Sequence, residues 1–153
     1  MIQLAVHAVL FLFIIPSSAH AQPLSQKATI NELVEAFADA YLARALDKLD
    51  AERAYWGKVR IVIEHSLLSS AGANAEDRYE IREFKTFAQV ERWLRNRGEI
   101  PYRAVVGPRR CKKGLCTYDP GALSHSYLYL KKIAYGYRKG RPYIKTVYLL
   151  DGD

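Results

Sequence analysis

Few side chains in this chain are suited to moving protons. His65 closes the alternating run Val59, Ile61, Ile63, His65, on its apolar side, where an inward imidazole could serve as a general base tuned by burial. A core histidine satisfied by one hydrogen bond is the plainer role for such a residue. His125 opens a long tyrosine-rich segment and is the second catalytic candidate, with a strand-end surface residue as its plainer role. Asp47 with Asp50, and Glu76 with Asp77, fall on a helix face and in a loop, where solvated charge is ordinary. Metal-ligand spacing, a Gly-rich phosphate loop and a nucleophile elbow are all missing from the sequence. Neither a metal nor an organic cofactor is expected.

Groups suited to holding an anion are plentiful and unevenly placed. The formal net charge is +7. Residues 22–99 carry 12 basic and 13 acidic side chains, whereas residues 100–153 carry 11 basic and 3 acidic ones. Eight of the 11 tyrosines share that basic third. Arg103, Arg109, Arg110, Lys112 and Lys113 surround a pair of cysteines, and Lys131, Lys132, Arg138, Lys139, Arg141 and Lys145 follow along the last segment. Cations interleaved with aromatics suit phosphate backbones and bases, lipid headgroups, acidic glycans or an acidic protein. The same cations could instead blunt a sheet edge against aggregation. The binding residues expected are Arg109, Arg110, Lys112, Lys113, Lys131, Lys132, Arg138, Lys139 and Arg141. The partner expected is an acidic protein, an anionic envelope surface or a small ligand, ahead of nucleic acid.

The elements that position these groups follow from periodicity. Thr29 and Glu32 have capping-box spacing, and Ile30, Leu33, Val34, Phe37, Tyr41, Ala45, Leu46 and Leu49 recur at helical steps. One long amphipathic helix is expected from Thr29 to about Trp56, stopped by Gly57. Lys58 to Leu68 alternates and predicts a strand, with Tyr79 to Arg82 as a short partner. Thr86 and Gln89 repeat the capping-box spacing ahead of a second helix that ends at Gly98. Pro101 begins an extended run to Val106, and Asp119-Pro120-Gly121 marks a turn. Two runs rich in Tyr, Ile, Val and Leu then flank Lys139-Gly140, a hairpin signal. Pairing Arg138 with Arg141 sets Tyr135 opposite Ile144, Ile133 opposite Thr146 and Tyr129 opposite Leu150. Both faces of this hairpin are half apolar, so it must bend and cover a core with part of each side.

Residues 4–15 form an uncharged apolar run too short to span a bilayer, and Ala19-His20-Ala21 fits the small-x-small rule for cleavage. Residues 1–21 therefore read as a cleaved signal peptide, 22–28 as a disordered lead and 29–150 as one domain, with no transmembrane segment left after cleavage. The product would be periplasmic or secreted. In such a compartment Cys111 and Cys116, in C-K-K-G-L-C, pair most simply with each other. So small a ring contributes about 2 kcal/mol by the loop-entropy argument.

The order of elements is long helix, strand, short strand, helix, then antiparallel strands. An α+β fold results, with both helices packed on a curved, mainly antiparallel sheet. In element order and length, from Thr29 to Leu150, the chain resembles the nuclear-transport-factor-like, or SnoaL-like, cone fold. A cystatin-like roll is the nearest alternative, and the second helix argues against it. The resemblance implies a pocket between the first helix and the sheet, here lined by Tyr41, His65, Tyr129 and Tyr135. The function expected is that of an exported non-catalytic binding or accessory protein, using that pocket or the basic sheet surface. The alternative is a small secreted enzyme, a pocket isomerase or dehydratase or a nuclease, working through His65 or His125.

Overall fold

A computed structural model describes residues 29–52, 54–66, 72, 74–102, 110–119 and 126–152. The expected signal peptide and lead, His125, Arg103, Arg109 and the Pro120-Gly121 turn lie outside the described residues.

Helix α1, Ile30–Leu42, starts where the sequence predicts. The Thr29 hydroxyl accepts from the Glu32 N–H at 3.3 Å, and Glu32 accepts from the Thr29 N–H at 2.6 Å. It does not reach Trp56. Arg44 turns into the left-handed region at φ 52°, its N–H donates to the Tyr41 carbonyl at 3.1 Å, and the Ala45 N–H donates to the Ala40 carbonyl at 2.8 Å. These bonds form a Schellman motif with Arg in the place glycine usually takes. The second helix supports that strained turn: Arg95 donates to the Arg44 carbonyl, and Glu91 accepts from the Leu46 N–H at 3.3 Å. A 3-10 segment, Leu46–Asp50, keeps Leu46 and Leu49 in the core although the α-helix has ended.

Strand β1 is Tyr55–His65 and β2 is Tyr79–Phe84. Helix α2, Phe87–Arg97, begins under two caps. The Thr86 hydroxyl accepts from the Gln89 N–H at 3.2 Å, while Asp50 accepts from the Phe87 and Ala88 N–H groups at 2.7 and 3.0 Å. Gln89 reaches back to the Lys85 N–H at 2.9 Å, one residue before the cap, so the reciprocal box is not closed. Gly98, at φ 86°, ends the helix. Strands β3 (Ile100–Tyr102), β4 (Arg110–Lys112), β5 (Leu115–Thr117), β6 (Tyr127–Arg138) and β7 (Arg141–Asp151) complete the sheet. Their order is β2-β1-β7-β6-β5-β4, with β3 beside β6. The β1–β7 and β3–β6 pairs are parallel and the others antiparallel, which makes a mixed, mainly antiparallel α+β fold.

The β6–β7 hairpin carries two compensating bulges. Arg138 faces Arg141 and Tyr135 faces Ile144, as the turn dictates. Lys145 is then an extra residue on β7, so Ile133 faces Val147 and not Thr146. Lys131 is an extra residue on β6, and Tyr129 returns to face Leu150. Each bulge exchanges the two faces of its strand. Leu128, Leu130 and Ile133 on β6, with Ile144, Val147 and Leu149 on β7, thereby share one core face. Val59, Ile61 and Ile63 extend it across β1, and Leu33, Val34, Phe37 and Tyr41 of α1 pack against it beside Phe87, Val90 and Leu94 of α2.

Candidate functional site

The basic residues of the C-terminal third separate into distinct places. Lys131, on its bulge, pairs with Glu64 across the outer sheet face. Lys132 borders the same shallow hollow of about 200 Å³, beside Val62, Tyr79 and Tyr148. Arg110 sits at the start of β4, opposite Thr117, whose hydroxyl donates to its carbonyl at 3.3 Å. Lys112 and Lys113 lie at the β4–β5 turn, closed by Cys111 and Cys116, which face each other with sulfurs 2.08 Å apart. Gly114 of that turn accepts from the Tyr135 N–H at 2.8 Å, which sets the two lysines three residues from Arg138 along β6. The two turns therefore gather Lys112, Lys113, Arg138, Lys139 and Arg141 at one end of the sheet.

That end also holds a cleft of about 470 Å³, lined chiefly by Tyr55, Trp56, Tyr143, Arg138, Lys139 and Arg141, with no carboxylate among the described residues of its wall. Its aromatic side arises from an arch in β1. Tyr55 faces Ile144 and Arg60 faces Thr146, so four β1 residues stand between these pairs where β7 has one. Gly57, at φ 67°, permits the arch, and Trp56 projects from it under the Arg138 guanidinium. The sequence reading takes Gly57 as the residue that stops a helix, which hides Trp56 as a site residue. On the opposite wall Tyr143 crosses the backbone of Gly136, where an added Cβ would come within 3.0 Å of the phenol. Burial, with Asp50 nearby, pushes the Tyr55 phenol up.

Several cations on the body of the sheet are neutralised, whereas among the described residues Arg110, Lys132, Lys145 and those at the tip are not. Lys58 and Arg60 share Glu83, Arg82 pairs with Glu80, and Lys131 pairs with Glu64. Among the described residues, Lys112, Lys113, Arg138, Lys139 and Arg141 have no ion pair. Their charge is therefore available to a partner.

A second polar cluster occupies the other end of the hairpin. His65 faces Asp151 in the parallel β1–β7 register, with Nδ1 at 3.3 Å from Oδ2. Arg97, in the last turn of α2, contacts Glu80 at 2.5 Å, Glu99 at 2.9 Å and Asp151 at 3.6 Å. Burial alone would push the Glu80 carboxyl up, but Arg82 and Arg97 outweigh it and hold Glu80 below the ordinary range. For Arg97 burial acts downward, and Glu99 and Glu80 outweigh it to hold the guanidinium above its ordinary value. An aspartate that orients a histidine is the arrangement a general base uses. Asp151 was invisible to pattern reading because it meets His65 only through the β1–β7 pairing, 86 residues apart.

The four residues expected around one pocket are dispersed. Tyr41 is buried in the core, where its hydroxyl donates to the Leu128 carbonyl at 2.6 Å. Burial, reinforced by Glu99 and Glu91, pushes its phenol far above the ordinary value. Tyr129 points to the other side of the sheet from Leu128 and Leu130, and packs edge-on against Tyr102 at 5.2 Å. Tyr135 lies near the tip beside Tyr137, and His65 lies at the far end. Among the described residues no group of three His, Cys, Asp or Glu side chains is placed to hold a metal. The fold and the site thus define an α+β domain with a basic, aromatic hairpin tip. Comparison with protein-family models, curated proteins and solved structures returns no match to this chain.

Proposed function

We propose that the protein is an exported binding or accessory protein of the cell envelope, without catalysis of its own, that holds an anionic partner at the tip of its long hairpin. The observation that carries this reading is the convergence of Arg138, Lys139 and Arg141, free of carboxylate partners among the described residues, on a cleft walled by Tyr55, Trp56 and Tyr143. A solubilising edge would want scattered charge, whereas three cations at one turn, beside an aromatic cleft, make the tip distinct. The apolar N-terminal run and the close cysteine pair support export to the periplasm or beyond. The amphipathic helix laid on one face of a bulged sheet supports the cone-fold kinship. The test is retention of the mature chain on an immobilised soluble polyanion. Wild type elutes late and with strong salt dependence, and Arg138→Glu/Lys139→Glu/Arg141→Glu elutes early. Equal retention of both would remove the reading.

The His65–Asp151 contact supports a second reading, an isomerase or dehydratase with His65 as base. A nuclease drawing on both the tip cations and His65 is poorly served. Arg141 and Asp151 stand at opposite ends of β7, about 30 Å apart at roughly 3.3 Å per residue. Any turnover that survives both His65→Asn and Asp151→Asn would exclude the second reading.

A further inference from the structure

The tip presents two kinds of side chain together. Trp56 and Tyr137 leave 52% and 59% of their surface in solvent, although both are large aromatics in a chain with a well-filled core. Indole and phenol rings, apolar in body and polar at one edge, settle at the headgroup level of a lipid bilayer. Around them stand Lys112, Lys113, Arg138, Lys139 and Arg141, each drawn toward a surface of anionic headgroups. The far end of the hairpin holds Glu64, Glu80, Glu99 and Asp151, packed around His65, Arg82, Arg97 and Lys131, with Lys132 beside the same hollow as Glu64. Along the hairpin the surplus charge therefore falls from positive at the tip to balanced at the open end. An anionic plane attracts the first end and has little hold on the second, so it orients the molecule tip-first. A linear polyanion such as single-stranded nucleic acid wants cations and stacking rings strung along a groove. Here the cations are massed at an end, and Tyr102, Tyr127 and Tyr129 are packed against one another.

We infer that the hairpin tip docks on a membrane surface rich in anionic phospholipid. Trp56 and Tyr137 lie among the headgroups, and one lipid phosphate enters the cleft between Arg138 and Arg141. This inference rests on the proposed capture of an anionic partner at the tip, and names that partner's chemistry.

The experiment uses the mature chain with Trp93→Phe, which leaves Trp56 as its single indole, since the sequence has 2 tryptophans. Vesicles of phosphatidylcholine, with or without phosphatidylglycerol, are titrated while Trp56 emission is followed. Vesicles containing phosphatidylglycerol should shift the emission to the blue and sediment the protein, and pure phosphatidylcholine should do neither. Arg138→Glu/Lys139→Glu/Arg141→Glu should weaken this binding roughly a hundredfold or more, at about fivefold for each charge lost. Tyr137→Ala, outside the cleft wall, should weaken sedimentation while leaving retention on a soluble polyanion intact. Retention on the polyanion without vesicle binding would overturn the lipid assignment and leave anionic capture standing. Failure on both supports would overturn both. Sedimentation with unchanged Trp56 emission would also overturn the docking mode, because the indole would then be outside the headgroups.

Discussion

Replacing Arg97 with Met removes the one cation among the described residues that touches Glu80, Glu99 and Asp151 together. The Arg97 side chain keeps 17% of its surface exposed and Asp151 keeps 6%, so the cluster is mostly withdrawn from water. Deleting one partner of a buried ion pair costs about 3–5 kcal/mol, because the remaining charge is left desolvated and unpaired. Residual solvent, with Arg82 still on Glu80 and His65 on Asp151, places this case near the lower end, about 3 kcal/mol. Against a total stability of about 5–15 kcal/mol the loss is large but survivable. Urea unfolding of the mature chain reads it directly. With a slope of about 2 kcal/mol per molar, the midpoint should fall by about 1.5 M. Adding Glu80→Gln and Glu99→Gln to Arg97→Met should recover part of that fall, since much of the cost lies in the orphaned carboxylates. A midpoint shift below about 0.3 M, or no recovery on neutralising the partners, would refute a stabilising role for the cluster.

Three further outcomes are expected. Glu80 titrates in the folded protein below its ordinary value of 4.5, so its contribution is fully present above pH 4.5 and is lost as pH falls through the folded value. The urea midpoint of wild type should therefore drop more steeply with acidification below pH 4.5 than that of Glu80→Gln, and parallel curves would contradict this. Tyr41→Phe leaves the buried Leu128 carbonyl without its donor and should cost about 1–3 kcal/mol, read as a lower melting temperature; an unchanged melt would show that the bond contributes nothing net. Cys111→Ser/Cys116→Ser should lose about 2 kcal/mol of local stability, so amides of Leu115 and Thr117 exchange faster while those of α1 do not. Uniform acceleration across the chain would show that the cystine holds more than its own turn.

The hairpin tip and the start of α1 were legible because local chemistry decides them. Thr29 with Glu32, and Lys139 with Gly140, act within a few residues of themselves. The end of α1 was not legible. Leu46 and Leu49 keep an apolar spacing that serves an α-helix and a 3-10 segment equally, and the break is held by Glu91 and Arg95 from α2. Val59 to His65 alternated as expected, but the strand begins at Tyr55, because the Gly57 arch replaces the foreseen helix end. The tip cations could be named from sequence. Their separation from Lys131, which has its own carboxylate, required the register. Asp151 was missed because it joins its cluster through β1–β7 contact, which no local pattern announces, and Trp56 because its stretch reads as a helix end.

Lys131 and Lys145 work as a matched pair of spacers, one in each arm of the hairpin. Drop either residue, and its kink closes while the side chains on both flanks keep the sides they had, since the pairs around it already alternate without it. Keep the residue but straighten its kink, and the rest of that arm turns over, sending leucines to water. Heredity can therefore shorten either arm by its lysine alone, but cannot iron out a kink at constant length.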